Sequence, residues 1–114
     1  MNYLKNLYIF HILFGIIFSY LGFKKQTSED VYKGLLVLGV LVLLYHAYHL
    51  IEKINNNMYS SYNLINLIHI LLVAPLLIYI GYFKDKTNIY ALDLLFIIGI
   101  GMTVHFIIKL KNIL

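Results

Sequence analysis

Four apolar runs, each long enough to cross a bilayer and parted only by short polar breaks, leave this chain few ways to fold. Divided at its charges, the sequence gives Leu4 to Phe23, Val31 to Glu52, Tyr62 to Phe83 and Ile89 to Lys109. A helix rises ~1.5 Å per residue, so about 20 residues cover ~30 Å of hydrocarbon. The breaks read KKQTSED at 24–30, KINNNMYSSYN at 53–63 and KDKTN at 84–88. A strand reading fails: the runs lack period-two alternation, and in lipid every backbone group must be satisfied within its own segment. The expectation is an all-α, four-transmembrane-helix bundle, a single membrane domain over residues 1–114 with consecutive helices antiparallel and both termini on one side.

Composition supports the same solvent. With 61% hydrophobic residues, 12% charged residues and a mean hydropathy of +0.81, the chain has more apolar surface than a soluble globule of this length can hide. All nine basic residues are Lys, and the formal charge of +4 is spread over helix ends. That distribution suits lipid head groups and argues against a nucleic-acid groove. Lys5, Lys53, Lys109 and Lys111 fall on one side and Lys24, Lys25, Lys33, Lys84 and Lys86 on the other, a balance that gives the positive-inside rule nothing to act on. Cysteine is absent, which excludes disulfides and thiolate metal sites. The first run has neither a basic cluster before it nor a small-residue cleavage site after it, so it is expected to stay as a helix rather than be removed as a signal peptide.

An internal repeat organises the spans, with a first copy over about 4–54 and a second over about 62–114. HILFGIIFSYLGFKK at 11–25 matches HILLVAPLLIYIGYFKDK at 69–86, and EDVYKGLLVLGVLVLLYH at 29–46 matches TNIYALDLLFIIGIGMTVH at 87–105. Each copy crosses twice and returns to its starting face, so the expected architecture is two tandem helical hairpins related by a pseudo-two-fold axis along the membrane normal.

The repeat turns scattered histidines into a geometric expectation. His11, His46, His69 and His105 fall on four spans at one depth, ~6 to 10 Å from the same face, with His49 one turn nearer the surface. In a four-helix bundle such side chains meet in the core, where facing helices build cofactor, metal and proton sites. Three uses compete. Neutral imidazoles serve as interhelical hydrogen-bonding glue. Alternatively His11, His46, His69 and His105 ligate a transition metal or a haem iron, with Tyr45, Asn66 or Thr103 as outer acceptors. In the third reading the imidazoles relay protons, since histidine ordinarily titrates near neutral pH, with His49 and Asp93 along the pathway. Neither a zincin motif, nor a c-type haem motif, nor a grouped nucleophile, base and acid is present, so an enzyme is not expected.

Small residues speak for packing. His11, Gly15, Ser19 and Gly22 share one face of the first helix at helical spacing, and Gly34 and Gly39 on the second and Gly99 and Gly101 on the fourth invite close backbone approach. The rival to the histidine-site reading is a purely structural protein that self-associates through these glycine faces, and a homo-oligomer is expected. Pro75 removes a backbone bond in mid-span and should kink the third helix or free a carbonyl. Asp93, one turn into the fourth helix, needs a partner, with Lys33 at the matching place on the second, or a snorkelling path to the head groups. Tyr20, Tyr32, Tyr59, Tyr62, Tyr82 and Tyr90 lie near segment ends, as interfacial anchors do.

The stretch at 69–81, His-Ile-Leu followed by Ala-Pro-Leu-Leu-Ile-Tyr-Ile-Gly, together with the Leu-Gly-Val-Leu-Leu-Tyr-His-Tyr pattern within 35–48, resembles small hydrophobic membrane proteins of giant viruses of algae and protists. The resemblance covers most of the chain through the two copies. It implies a virion or host-cell membrane and no particular set of functional residues.

Overall fold

In a computed structural model of the protein, residues 2–25, 27–56 and 61–114 are described, and all regular structure among them is helical. The elements are α1 (Asn2–Lys24), α2 (Glu29–Asn55), α3 (Ser61–Ile68), a π-turn (His69–Val73), α4 (Ala74–Phe83), a 3₁₀ turn (Lys84–Lys86) and α5 (Ile89–Ile113). Four segments are long and apolar enough to cross a membrane: Tyr3–Lys24, Glu29–Asn55, Asn66–Lys86 and Ile89–Ile113. The third is composite, since the π-turn and α4 continue the rod that α3 begins.

The breaks carry the chemistry that starts and stops these helices. Ser28 caps α2 through its hydroxyl, which accepts from the Val31 amide at 3.4 Å, and Asn88 caps α5 by accepting from the Tyr90 amide at 2.9 Å. Glu29 and Asp30 sit in the first turn of α2 and Lys53 in its last, each sign facing the helix end that favours it. Two lysines do work usually given to glycine. Lys25 ends α1 at φ 68° and Lys84 ends α4 at φ 54°, a backbone region that side chains disfavour. Their amides return to the Leu21 and Ile80 carbonyls, closing the last turn in each case.

The chain packs as two compact units, Met1–Thr27 with Asn88–Leu114, and Ser28–Thr87. In the first, α1 and α5 run antiparallel at backbone contact. A methyl group on Gly22 would lie 2.5 Å from the Phe96 amide nitrogen and 2.7 Å from the Leu92 carbonyl, and one on Gly99 would lie 2.5 Å from the Ser19 amide nitrogen. Only glycine permits that approach. Phe18, Leu21, Leu92 and Leu95 fill the seam, and Lys25 pairs with Asp93 at its end. Asp93 therefore finds Lys25 rather than the expected Lys33, because the α1 terminus delivers a cation beside it.

In the second unit, α2 packs antiparallel on the third span. A methyl on Gly81 would lie 2.5 Å from the Leu36 amide nitrogen and 2.7 Å from the Tyr32 carbonyl, and one on Gly39 would lie 2.9 Å from the Ile78 amide nitrogen. Tyr32, Leu35, Leu77 and Ile80 are buried in this seam, and Lys84 pairs with Glu29 at its end. Tyr32 is thus a core residue and not an interfacial anchor, whereas Tyr20, Tyr82 and Tyr90 are exposed as anchors require. Tyr59 and the Tyr62 side chain lie outside the described residues.

The buried positions of the two units recur at fixed spacing. Gly15, Phe18, Leu21 and Gly22 of α1 correspond one for one to Ala74, Leu77, Ile80 and Gly81 of α4, and Tyr32, Leu35 and Gly39 of α2 to Leu92, Leu95 and Gly99 of α5. Each unit takes one helix from each sequence repeat, so the close packing within a unit joins the first span to the last and the second to the third. Inside each unit the close backbone approach is permitted by glycines at matching register.

Candidate functional site: stacked histidines in the second unit

The polar centre of the second unit lies where α2 faces the start of the third span. His46 stands about 14 Å from the C-terminal end of α2 at ~1.5 Å per residue, and its ring stacks on His69 with centroids 4.1 Å apart and an interplanar angle of 18°. The His46 Nδ1 lies 2.8 Å from the Asn66 Oδ1. An amide oxygen only accepts, so Nδ1 carries the hydrogen and donates it. Asn66 is 6% exposed, the one buried polar side chain among the described residues, and its Nδ2 has no hydrogen-bond partner among them. Leaving such a donor unmet costs about 1 to 3 kcal/mol.

From this pair a row of rings continues toward the end of α2. Tyr45 meets His46 edge-on at 5.1 Å and His49 at 4.4 Å. The i and i+4 spacing of Tyr45 and His49 puts them on one face of the helix, one turn apart.

The first unit contains the same arrangement with phenylalanine in place of one histidine. His11 stacks on Phe106 with centroids 4.4 Å apart at 28°, and its Nδ1 donates to the Leu7 carbonyl of its own helix at 2.8 Å. Continuing the burial register of α2 and α5 pairs His46 with Phe106, not with His105 as the superposed sequences suggested. His105 takes the register of Tyr45, and both are exposed. Of the four expected layer histidines, then, His46 and His69 are brought together, His11 is stacked on phenylalanine, and His105 lies on an exposed face.

The stacked pair by itself is not arranged as two ligands of one ion or as the two axial ligands of a haem iron. Among the described residues no three His, Cys, Asp or Glu side chains group closely enough to hold an ion. Near-parallel stacked imidazoles direct their nitrogens alongside one another, whereas ligands of one ion must converge on it, and axial haem ligands must face each other across the iron.

The other expected positions divide clearly. Gly15, Gly22, Gly39 and Gly99 are used for packing within units, while Gly101 and Gly34 have nothing within 4 Å of an added methyl. Ser19 and Thr103 turn their hydroxyls back on the Gly15 and Gly99 carbonyls at 2.7 and 2.8 Å. Asp93 sits with Lys25 at the end of the seam of the first unit. Phe106 and Lys25 were not singled out from sequence; the fixed spacing between repeats, followed one residue past His105, points to the first. No protein-family model, curated protein or solved structure matches this chain.

Proposed function

We propose that this is a small, non-enzymatic integral membrane protein that relays protons through His46 and His69, with Asn66 as the tautomer-setting partner and Tyr45 and His49 as the continuation toward the membrane surface. The observation that carries the reading is the stack of two imidazoles held by one buried amide. Two positive rings 4.1 Å apart would repel by about 4 kcal/mol at an effective dielectric of 20, so the relay is proposed to carry one proton at a time. A neutral ring that takes a proton at one nitrogen becomes imidazolium and returns to neutral by releasing the proton on its other nitrogen to the next acceptor. Asn66 offers its oxygen to the Nδ1–H form of His46; turned over, it offers an N–H to the form with a lone pair there, which gives the otherwise unmet Nδ2 a use.

The chain as a whole is proposed to be a duplicated two-helix element with pseudo-two-fold symmetry along the membrane normal and both termini on one side. Matching burial and matching glycine contacts in the two units support this. The resemblance to small viral membrane proteins favours a virion or host-cell membrane as its setting. A second reading, a purely structural protein, is favoured by the glycine seams, though these are spent inside the units; self-association would then use the open faces at Gly34 and Gly101.

Reconstitution into liposomes with an internal pH indicator separates the two. The relay predicts dissipation of an imposed pH gradient by the native chain and its loss in His46→Leu and His69→Leu. A native chain without flux, or variants that conduct as well as it does, would leave the structural reading in place.

A further inference from the structure

The second repeat has one residue more than the first between its His-Ile-Leu opening and its packing motif. His11 precedes Gly15 by one residue less than His69 precedes Ala74, although Gly15 and Ala74 hold the same place in their seams. An extra residue in a continuous α-helix would turn everything before it by ~100°. Asn66 and His69 would then leave α2, yet both face His46. The five residues His69–Val73 form a π-turn, with the Ala74 amide returning to the His69 carbonyl, and one wider turn is what absorbs a single surplus residue without changing phase. Pro75 follows immediately.

We infer that Pro75 is the positioning residue of the histidine pair: it selects the π-turn over a regular helix and so keeps His69 in phase with His46. The regular helix would otherwise be the better-bonded state for these residues. With proline at 75 that advantage falls away, because proline has no amide hydrogen for the Leu71 carbonyl and its ring presses on that carbonyl in an unbroken α-helix. Placed where five-residue bonding gives way to four-residue bonding, the proline breaks no bond that the π-turn makes. Phase is then its contribution, in addition to the kink or freed carbonyl expected from sequence.

The inference rests on the relay reading only for its effect on flux. Its direct test uses the full-length chain, which has no native cysteine. His46→Cys with His69→Cys reports the pair through thiol crosslinking in membranes, and Glu29→Cys with Lys84→Cys reports the far end of the same seam. Pro75→Leu should slow the 46 and 69 crosslink at least tenfold and leave the 29 and 84 crosslink unchanged. Deleting Leu72 in the Pro75→Leu background removes the surplus residue and should restore the first crosslink, since a regular helix then has the register of α1. An undiminished 46 and 69 crosslink in Pro75→Leu, a deletion that fails to rescue it, or loss of both crosslinks together would overturn the inference. With native histidines in place, proton flux should follow the same loss and rescue. Crosslinks that behave as stated in a protein without any flux would sink the relay and leave the register role of Pro75 standing.

Discussion

His46 and Phe106 occupy the same register of their helices, and each carries a histidine stacked on its ring, His69 at 4.1 Å and His11 at 4.4 Å. One unit holds two imidazoles where the other holds an imidazole and a phenyl ring, so the fold itself accepts either ring at this place.

His46→Phe is therefore expected to fold and to lose proton flux. It leaves both polar atoms of Asn66 unmet, so it should cost about 1 to 3 kcal/mol. Adding Asn66→Leu should recover most of that loss, with flux still absent. Thermal unfolding in detergent, set beside the liposome assay, reads both.

The glycine seams give a second contrast. Gly22→Ala and Gly81→Ala place a methyl group 2.5 Å from a backbone nitrogen of the facing helix, and the helices must part, at about 1 to 3 kcal/mol or more. Gly34→Ala and Gly101→Ala meet nothing within 4 Å and should instead stabilise their helices by about 0.5 to 1 kcal/mol. If all four behaved alike in unfolding assays, the seams would not be where the structure puts them.

Lys84 sits at φ 54° and ψ −123°, a conformation that glycine reaches without strain. Lys84→Gly gives up an exposed ion pair with Glu29, an interaction that water and salt weaken. Relief of the backbone should outweigh it, with a net gain of about 1 kcal/mol. The same unfolding measurement decides the sign.

Charge pairing offers a check on partner choice. A double-mutant cycle between Lys25 and Asp93 should return a coupling of about 0.2 to 1 kcal/mol, modest because both side chains are partly exposed. A cycle without coupling would remove this pair from the end of the seam.

Much of this molecule is written along the chain. Span lengths, the all-helical class, the polar breaks and their caps follow from local chemistry, because a backbone in lipid has to satisfy itself and a helix end has to find a donor or acceptor nearby. His46, His69 and Asn66 are equally legible as polar residues in apolar helices. The ring that faces each histidine is a different kind of fact. That His46 meets His69, that His11 meets Phe106 and that Asp93 meets Lys25 all depend on which helix lies opposite and in what register. Those choices were made by Gly22 over Phe96 and Gly81 over Leu36, contacts between residues far apart in sequence, where a shift of one residue turns a helix face by ~100°. Apolar periodicity marks which side of a helix is buried; only backbones in contact fix the partner and the level at which it sits.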